Sequence, residues 1–179
     1  MPRYYVGHLI KGDAAEYYKH ITADLAERFG VKNLSEKAPP HFTFKAPFES
    51  SNIEEFEQKL GDVASRQKPA PLSIEGFGRM GKTVFLAIKP DPELQKQANE
   101  IALALSQFGQ SRRSVPIPLR FHVSVARFLK PKQLREIWDY VQTLPKPQFD
   151  VTFDGLALFV FVGRRWEIQS TWPFKNNDA

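Results

Sequence analysis

The chain contains no cysteine, which excludes disulfide cross-links and thiolate nucleophiles and fits a cytoplasmic setting. It has no apolar run approaching the roughly 20 residues needed to span a bilayer. Its opening stretch, MPRYYVGHLIKGD, is strand-like and turns polar too soon for a signal peptide. No membrane partner is therefore expected. Histidine is scarce, with four in 179 residues, and none belongs to a close-spaced cluster such as H-E-x-x-H. A metal hydrolase would have a thin ligand set, and neither a metal nor a cofactor is expected. Acidic residues are missing between Arg112 and Arg135, a stretch that holds seven basic ones.

What is present describes a globular protein: 42% of residues are hydrophobic and 13% aromatic, ample for a buried core at this length. The formal net charge of +5 is unevenly placed. Up to Gly81 there are 11 basic and 11 acidic side chains, and after it 14 and 9, so the second half carries the excess. A positive field there attracts a phosphate-bearing ligand.

The chain reads as the same pattern written twice. Strand RYYVGHLI is followed by a helix over residues 13–29, with Asp13 a capping candidate and Gly30 its end. Next come strand HFTFKAPF, a helix over 52–67 and strand PLSIEGFGRM. The second pass gives strand TVFLAIKP, a helix over 91–108 with Asp91 as N-cap and Pro92 at its first position, and strand FHVSVARF. A helix in PKQLREIWDYVQTL then precedes strands in FDVTFDGLALFVF and WEIQSTW, in hairpin-like succession around Gly163. Glu75-Gly76-Phe77 corresponds to Asp154-Gly155-Leu156. The expected fold is α+β: duplicated β-α-β-α-β units form two pseudo-symmetric lobes around a central cleft, in one domain spanning 1–179 with sequence halves of about 1–81 and 82–179.

Each half places a histidine and a hydroxyl residue two apart at the head of a β-prone run: His41 and Thr43 in PPHFTFKAPF, His122 and Ser124 in RFHVSVARFL. Side chains two apart on a strand share a face. Two related strands then present two imidazoles and two hydroxyls to one cleft, while Phe42, Phe44, Val123 and Val125 fill the other side. With an ordinary pKa near 6.5, a facing imidazole pair divides into one base and one acid near neutral pH. That suits hydrolysis of a 2′,3′-cyclic phosphate, in which one histidine deprotonates water and the other protonates the departing ribose oxygen. Hydroxyls donate to the oxygens on which negative charge builds. A single H-x-[ST] is commonplace and usually incidental; two at equivalent positions of a repeat are far more specific.

PPHFTF and FHVSVAR, with their spacing and the duplicated β-α order around them, resemble the two-histidine phosphoesterase superfamily, which includes RNA 2′,3′-cyclic phosphodiesterases and bacterial 2′-5′ RNA ligase-like proteins. The resemblance covers nearly the whole chain. It implies a metal-independent phosphoesterase acting on an RNA terminus or a small nucleotide, with reverse 2′-5′ ligation as the companion activity. His41 and His122 become the catalytic pair, and Thr43 and Ser124 the phosphate-binding hydroxyls. Serine stands where threonine is commoner, which keeps the hydrogen bond but loses the methyl that restrains χ1. Arg127 matches a basic residue that often follows the second motif in ligase-like members, but parity sets it out of phase with His122 and Ser124, so only a bulge or the strand's end brings it to the cleft. Lys45 is in phase with His41 and is the substrate-binding candidate of the first half.

Other residues rank lower. His8 is expected as a satisfied structural histidine and His20 as a surface group. Trp138, Trp166 and Trp172 can stack a base, with core packing expected for at least two; Phe77 and Phe159 are expected to pack. The main rival is a non-catalytic nucleotide- or RNA-binding module on the same fold. An interaction scaffold is a weaker rival, since it must find partners for two buried imidazoles.

Overall fold

The computed structural model describes residues 1–109, 111 and 113–176. Arg112, the first residue of the basic stretch, lies outside the described residues. Strands β1 (Arg3–Leu9), β2 (His41–Glu49), β3 (Ala70–Met80), β4 (Thr83–Lys89), β5 (His122–Ala126), β6 (Gln148–Phe153), β7 (Gly155–Val162) and β8 (Arg165–Pro173) alternate with helices α1 (Gly12–Phe29), α2 (Ile53–Ser65), α3 (Pro92–Ser106) and α4 (Pro131–Thr143).

Local chemistry sets most boundaries. The Asp91 carboxylate accepts the Leu94 N–H at 2.8 Å and Pro92 opens α3, as the sequence indicates. Gly30 ends α1 in the left-handed conformation, at φ 64°. Asp13 is not the cap of α1. The helix begins one residue earlier, at Gly12, so Asp13 lies within the first turn, where its charge meets the positive end of the helix dipole.

The strands form two antiparallel four-stranded sheets, ordered β2-β1-β7-β8 and β5-β4-β3-β6. The sheets do not follow the two sequence halves. The third strand of each repeat crosses over: β3 leaves the first half to pair with β4, and β7 leaves the second to pair with β1. The run FDVTFDGLALFVF accordingly breaks at Asp154, with β6 in one sheet and β7 in the other. Gly155 marks this switch, since a Cβ there would sit 2.7 Å from the Trp172 carbonyl oxygen. Exchanged strands tie the two lobes together, and one buried cluster runs through both, from Val6, Phe42 and Phe44 to Leu86, Val123 and Val125.

Helices α2 and α3 pack on the first sheet, α1 and α4 on the second. On the other face of the first sheet lies a separate small cluster of Tyr5, Ala157 and Phe159, with Leu9 and Trp166 against it. Among the described residues no helix is long and apolar enough to cross a membrane.

Candidate active site

β2 and β5 are the edge strands of their sheets and meet each other across the lobe boundary. Each opens with its histidine. Against β1, His41 pairs with Leu9 and Thr43 with Gly7; against β4, His122 pairs with Ala87 and Ser124 with Phe85. The two strands share one burial pattern: half-buried histidine, buried apolar residue, half-buried hydroxyl residue, then two buried residues in succession.

Two buried residues in a row mark a β-bulge. Lys45 pairs with Val6 although Thr43 pairs with Gly7, and Ala126 pairs with Val84 although Ser124 pairs with Phe85. The extra residue is Phe44 in β2 and Val125 in β5. Each bulge reverses the alternation immediately after its motif, and both parity-based expectations change. Lys45 is not brought to the histidines. It is 5% exposed, its Nζ donates to the Gly109 carbonyl at 3.2 Å and lies 5.2 Å from the Phe48 ring centre, and burial lowers its pKa. Arg127, set aside on parity, comes directly after the last residue of β5 and is exposed, and its charge acts on both His41 and His122. Positions 45 and 126 are equivalent in the repeat, as are 46 and 127, so the first half has Lys-Ala where the second has Ala-Arg.

Both imidazoles are anchored in the same way. His41 Nδ1–H donates to the Pro39 carbonyl at 2.7 Å, and His122 Nδ1–H to the Arg120 carbonyl at 2.7 Å. A carbonyl can only accept, so the proton resides on Nδ1 and the lone pair on Nε2 in both neutral rings. His41 is additionally cradled by Tyr5, whose hydroxyl lies 3.3 Å from Nδ1, and by Phe159, 5.2 Å between ring centres. Tyr5 in turn stacks on Phe159 at 4.3 Å and meets Trp166 edge-on at 4.7 Å. Among the described residues His122 has one aromatic neighbour, Phe85, at 5.6 Å between ring centres. Gly7 makes room for this packing: a Cβ there would lie 2.6 Å from the Phe42 carbonyl oxygen and 3.5 Å from the His41 ring.

The electrostatics follow from burial beside a cation. Burial pushes His41 down to about 4, with the charges of Arg127 and His122 acting in the same direction and the Pro39 hydrogen bond opposing. His122 is lowered by burial and then by Arg127, with the Arg120 hydrogen bond opposing. Arg113 adds positive charge close to Arg127. In the free protein at neutral pH both rings are neutral, with the positive charge of the exposed Arg127 acting on both.

His8 is structural, as expected, but only half satisfied. Buried between Phe42 and Phe153, it donates from Nδ1 to the Gly155 carbonyl at 3.0 Å, while Nε2 has no partner among the described residues. His20 is exposed on α1. Trp138, Trp172 and Phe77 pack against the main core, whereas Trp166 and Phe159 belong to the cluster beside His41. Tyr5 was missed by sequence reasoning. Its signal was the Tyr4-Tyr5 doublet: in an alternating strand, one of two adjacent tyrosines must face away from the core. Among the described residues no group of three or more His, Cys, Asp or Glu side chains is gathered to hold a metal ion.

A family model described as the 2′-5′ RNA ligase superfamily matches residues 13–165. Comparison with curated proteins finds no sequence match. Among solved structures, E. coli LigT complexed with 3′-AMP is similar with a TM-score of 0.63 and 21% identity, over 98% of this chain and 100% of that one. TT0787 of Thermus thermophilus gives 0.64 and 12% over 98% and 99%. Usb1 of Kluyveromyces marxianus gives 0.52 and 14% over 97% and 98%. At these identities the shared property is the fold.

Proposed function

The chain belongs to the 2′-5′ RNA ligase superfamily, and from that premise we propose that it is a cytoplasmic, metal-independent phosphoesterase, acting as a single two-lobed domain to hydrolyse the 2′,3′-cyclic phosphate of an RNA end or small nucleotide. The observation that carries this reading is the matched anchoring of His41 and His122, each held through Nδ1 by a carbonyl two residues upstream, with Nε2 left for proton transfer.

In the reaction, one neutral imidazole takes a proton from water through Nε2 as the water oxygen attacks phosphorus. The other, protonated, gives its proton to the ribose oxygen as the P–O bond breaks, leaving a phosphate monoester. Thr43 and Ser124 donate hydrogen bonds to the non-bridging oxygens, and Arg127 balances their charge. The anionic substrate itself supplies what the free protein lacks, because a bound phosphate raises the pKa of a neighbouring imidazole and so favours the protonated acid. The same sequence, with a ribose 5′-hydroxyl attacking phosphorus in place of water and the ribose 3′-oxygen leaving with the proton, forms a 2′-5′ linkage.

The test is hydrolysis of 2′,3′-cyclic nucleotides and RNA ends in EDTA by the wild type, His41→Ala and His122→Ala. Each variant is expected to lose about 10²–10⁴-fold in kcat, the usual contribution of a positioned acid or base. Product analysis for the 2′- or 3′-phosphate identifies the leaving oxygen. A second reading, binding of a nucleotide or RNA without turnover, draws on both rings being neutral in the free protein. It requires both alanine variants to retain affinity and the wild type to release no product.

A further inference from the structure

Between the end of β5 at Ala126 and the start of α4 at Pro131 the chain turns at Phe128, which has a φ of 58°. It is the one non-glycine residue with positive φ among the described residues. The turn is held from both sides. Ala126 is fully buried, Leu129 is 2% exposed, and the Leu129 N–H donates to the Lys82 carbonyl at 3.1 Å. The backbone conformation is therefore imposed, and a bulky side chain there is strained where glycine would not be.

The phenylalanine ring gains little from packing in return, since the residue is 73% exposed. An exposed apolar residue alone is ordinary. An exposed aromatic at a position that disfavours any side chain is not. One neighbour is defined: the Arg127 guanidinium, 5.0 Å from the ring centre. That is the same guanidinium whose charge reaches His41 and His122. The ring thus stands against the guanidinium whose charge acts on both histidines, with most of its surface free. The other aromatics near the histidines are already engaged: Tyr5 and Phe159 are 4% and 0% exposed and stack on each other, Trp166 contacts Tyr5, Phe161 and Arg3, and Phe85, half-buried, lies over Gly78 and edge-on to His122.

We propose that Phe128 is a specificity-determining residue that stacks on the nucleobase attached to the cyclic phosphate, so that the substrate class is a base-bearing nucleoside or RNA end and not a base-free phosphate ester. This deepens the phosphoesterase reading and rests on it. Base–aromatic stacking tolerates any base because every base has a π-face, so the preference is for a base over none, with little choice among the four.

The experiment compares nucleoside 2′,3′-cyclic phosphates with 1-O-methylribose 2′,3′-cyclic phosphate, using the wild type, Phe128→Gly and Phe128→Tyr. The wild type prefers the nucleoside substrates. Phe128→Gly loses that preference by roughly 5- to 100-fold in kcat/KM, chiefly through KM, while its Tm does not fall, since glycine relieves the backbone. Phe128→Tyr keeps the preference. Equal use of both substrates by the wild type, or a preference that survives Phe128→Gly, overturns the assignment. So does a fall in Tm with the preference intact, which makes the ring structural. If no cyclic phosphate turns over, the hydrolase reading fails on its own. Binding of 3′-AMP against 1-O-methylribose 3-phosphate then decides Phe128: base-dependent affinity lost in Phe128→Gly supports stacking, and affinity unchanged refutes it.

Discussion

Neutralising Arg127 should move the pH–rate profile of hydrolysis toward alkaline pH. The profile of kcat/KM reports the free enzyme, and there His41 is held at about 4 and His122 below its ordinary 6.5. A phosphodiester stays a monoanion throughout the assay range, so the imidazoles set the shape. Productive enzyme carries one proton on the pair, and its population peaks between the two macroscopic pKa values, below pH 6.5. On the alkaline side log kcat/KM falls with slope −1. A group with a pKa of about 4 is protonated in roughly one molecule in a thousand at pH 7. Arg127→Gln removes a cation that lowers both rings. By the usual scale of a nearby charge this is worth about one pKa unit, so both limbs move up together. Loss of the charge-assisted contact to phosphate reduces kcat/KM by about 10- to 100-fold at the optimum. Arg127→Lys keeps the charge and should keep the profile in place. Initial rates from pH 4.5 to 8.5 decide the matter. A wild-type optimum above pH 7, or an Arg127→Gln profile that stays put or moves toward acid, refutes the electrostatic account.

His8 predicts an acid-sensitive fold. Its pKa is about 4 when folded, lowered chiefly by burial, and its ordinary value is 6.5; the unfolded chain therefore binds a proton that the folded one refuses, and stability falls as pH drops from 6.5 to 4. Urea unfolding of the wild type against His8→Leu should show a difference of about 2 kcal/mol in the stability lost between pH 7 and 4.5; equal losses would assign the acid sensitivity to His41 and His122. Gly7→Ala tests the seat of His41: with a Cβ 2.6 Å from the Phe42 carbonyl oxygen, β1 and β2 must separate, lowering stability by about 1–3 kcal/mol and displacing the His41 ring. A variant with wild-type Tm and activity would show that this approach is not tight.

The strands, the helices and the histidine pair were legible because they rest on local patterns: alternation in HFTF and HVSV, the Asp91-Pro92 start, and a motif that occurs twice. What escaped the sequence depends on the partner strand. Whether FTFKA runs in simple alternation or slips by one residue is decided by β1, just as VSVAR is decided by β4. The exchange of β3 and β7 between lobes is likewise invisible to a repeat that maps each half onto the other. The bulges carry the functional consequence. They put positions 45 and 126 on the core side and leave 46 and 127 more exposed, so the identity of one adjacent pair decides which half supplies the charge. In the first half the cation, Lys45, falls on the core side and finds a backbone carbonyl, and the residue after it, Ala46, carries no charge. In the second, Ala126 fills the core and Arg127 follows it, exposed, with its charge acting on both histidines. A twofold arrangement of imidazoles thereby acquires an arginine from one half alone at these equivalent positions, and under the proposed function a phosphate bound between His41 and His122 meets an asymmetric field. That asymmetry gives the two histidines a physical basis for different roles, since the more deeply set His41 is held deprotonated beside Tyr5 and Phe159 while His122 lies on the strand that carries Arg127.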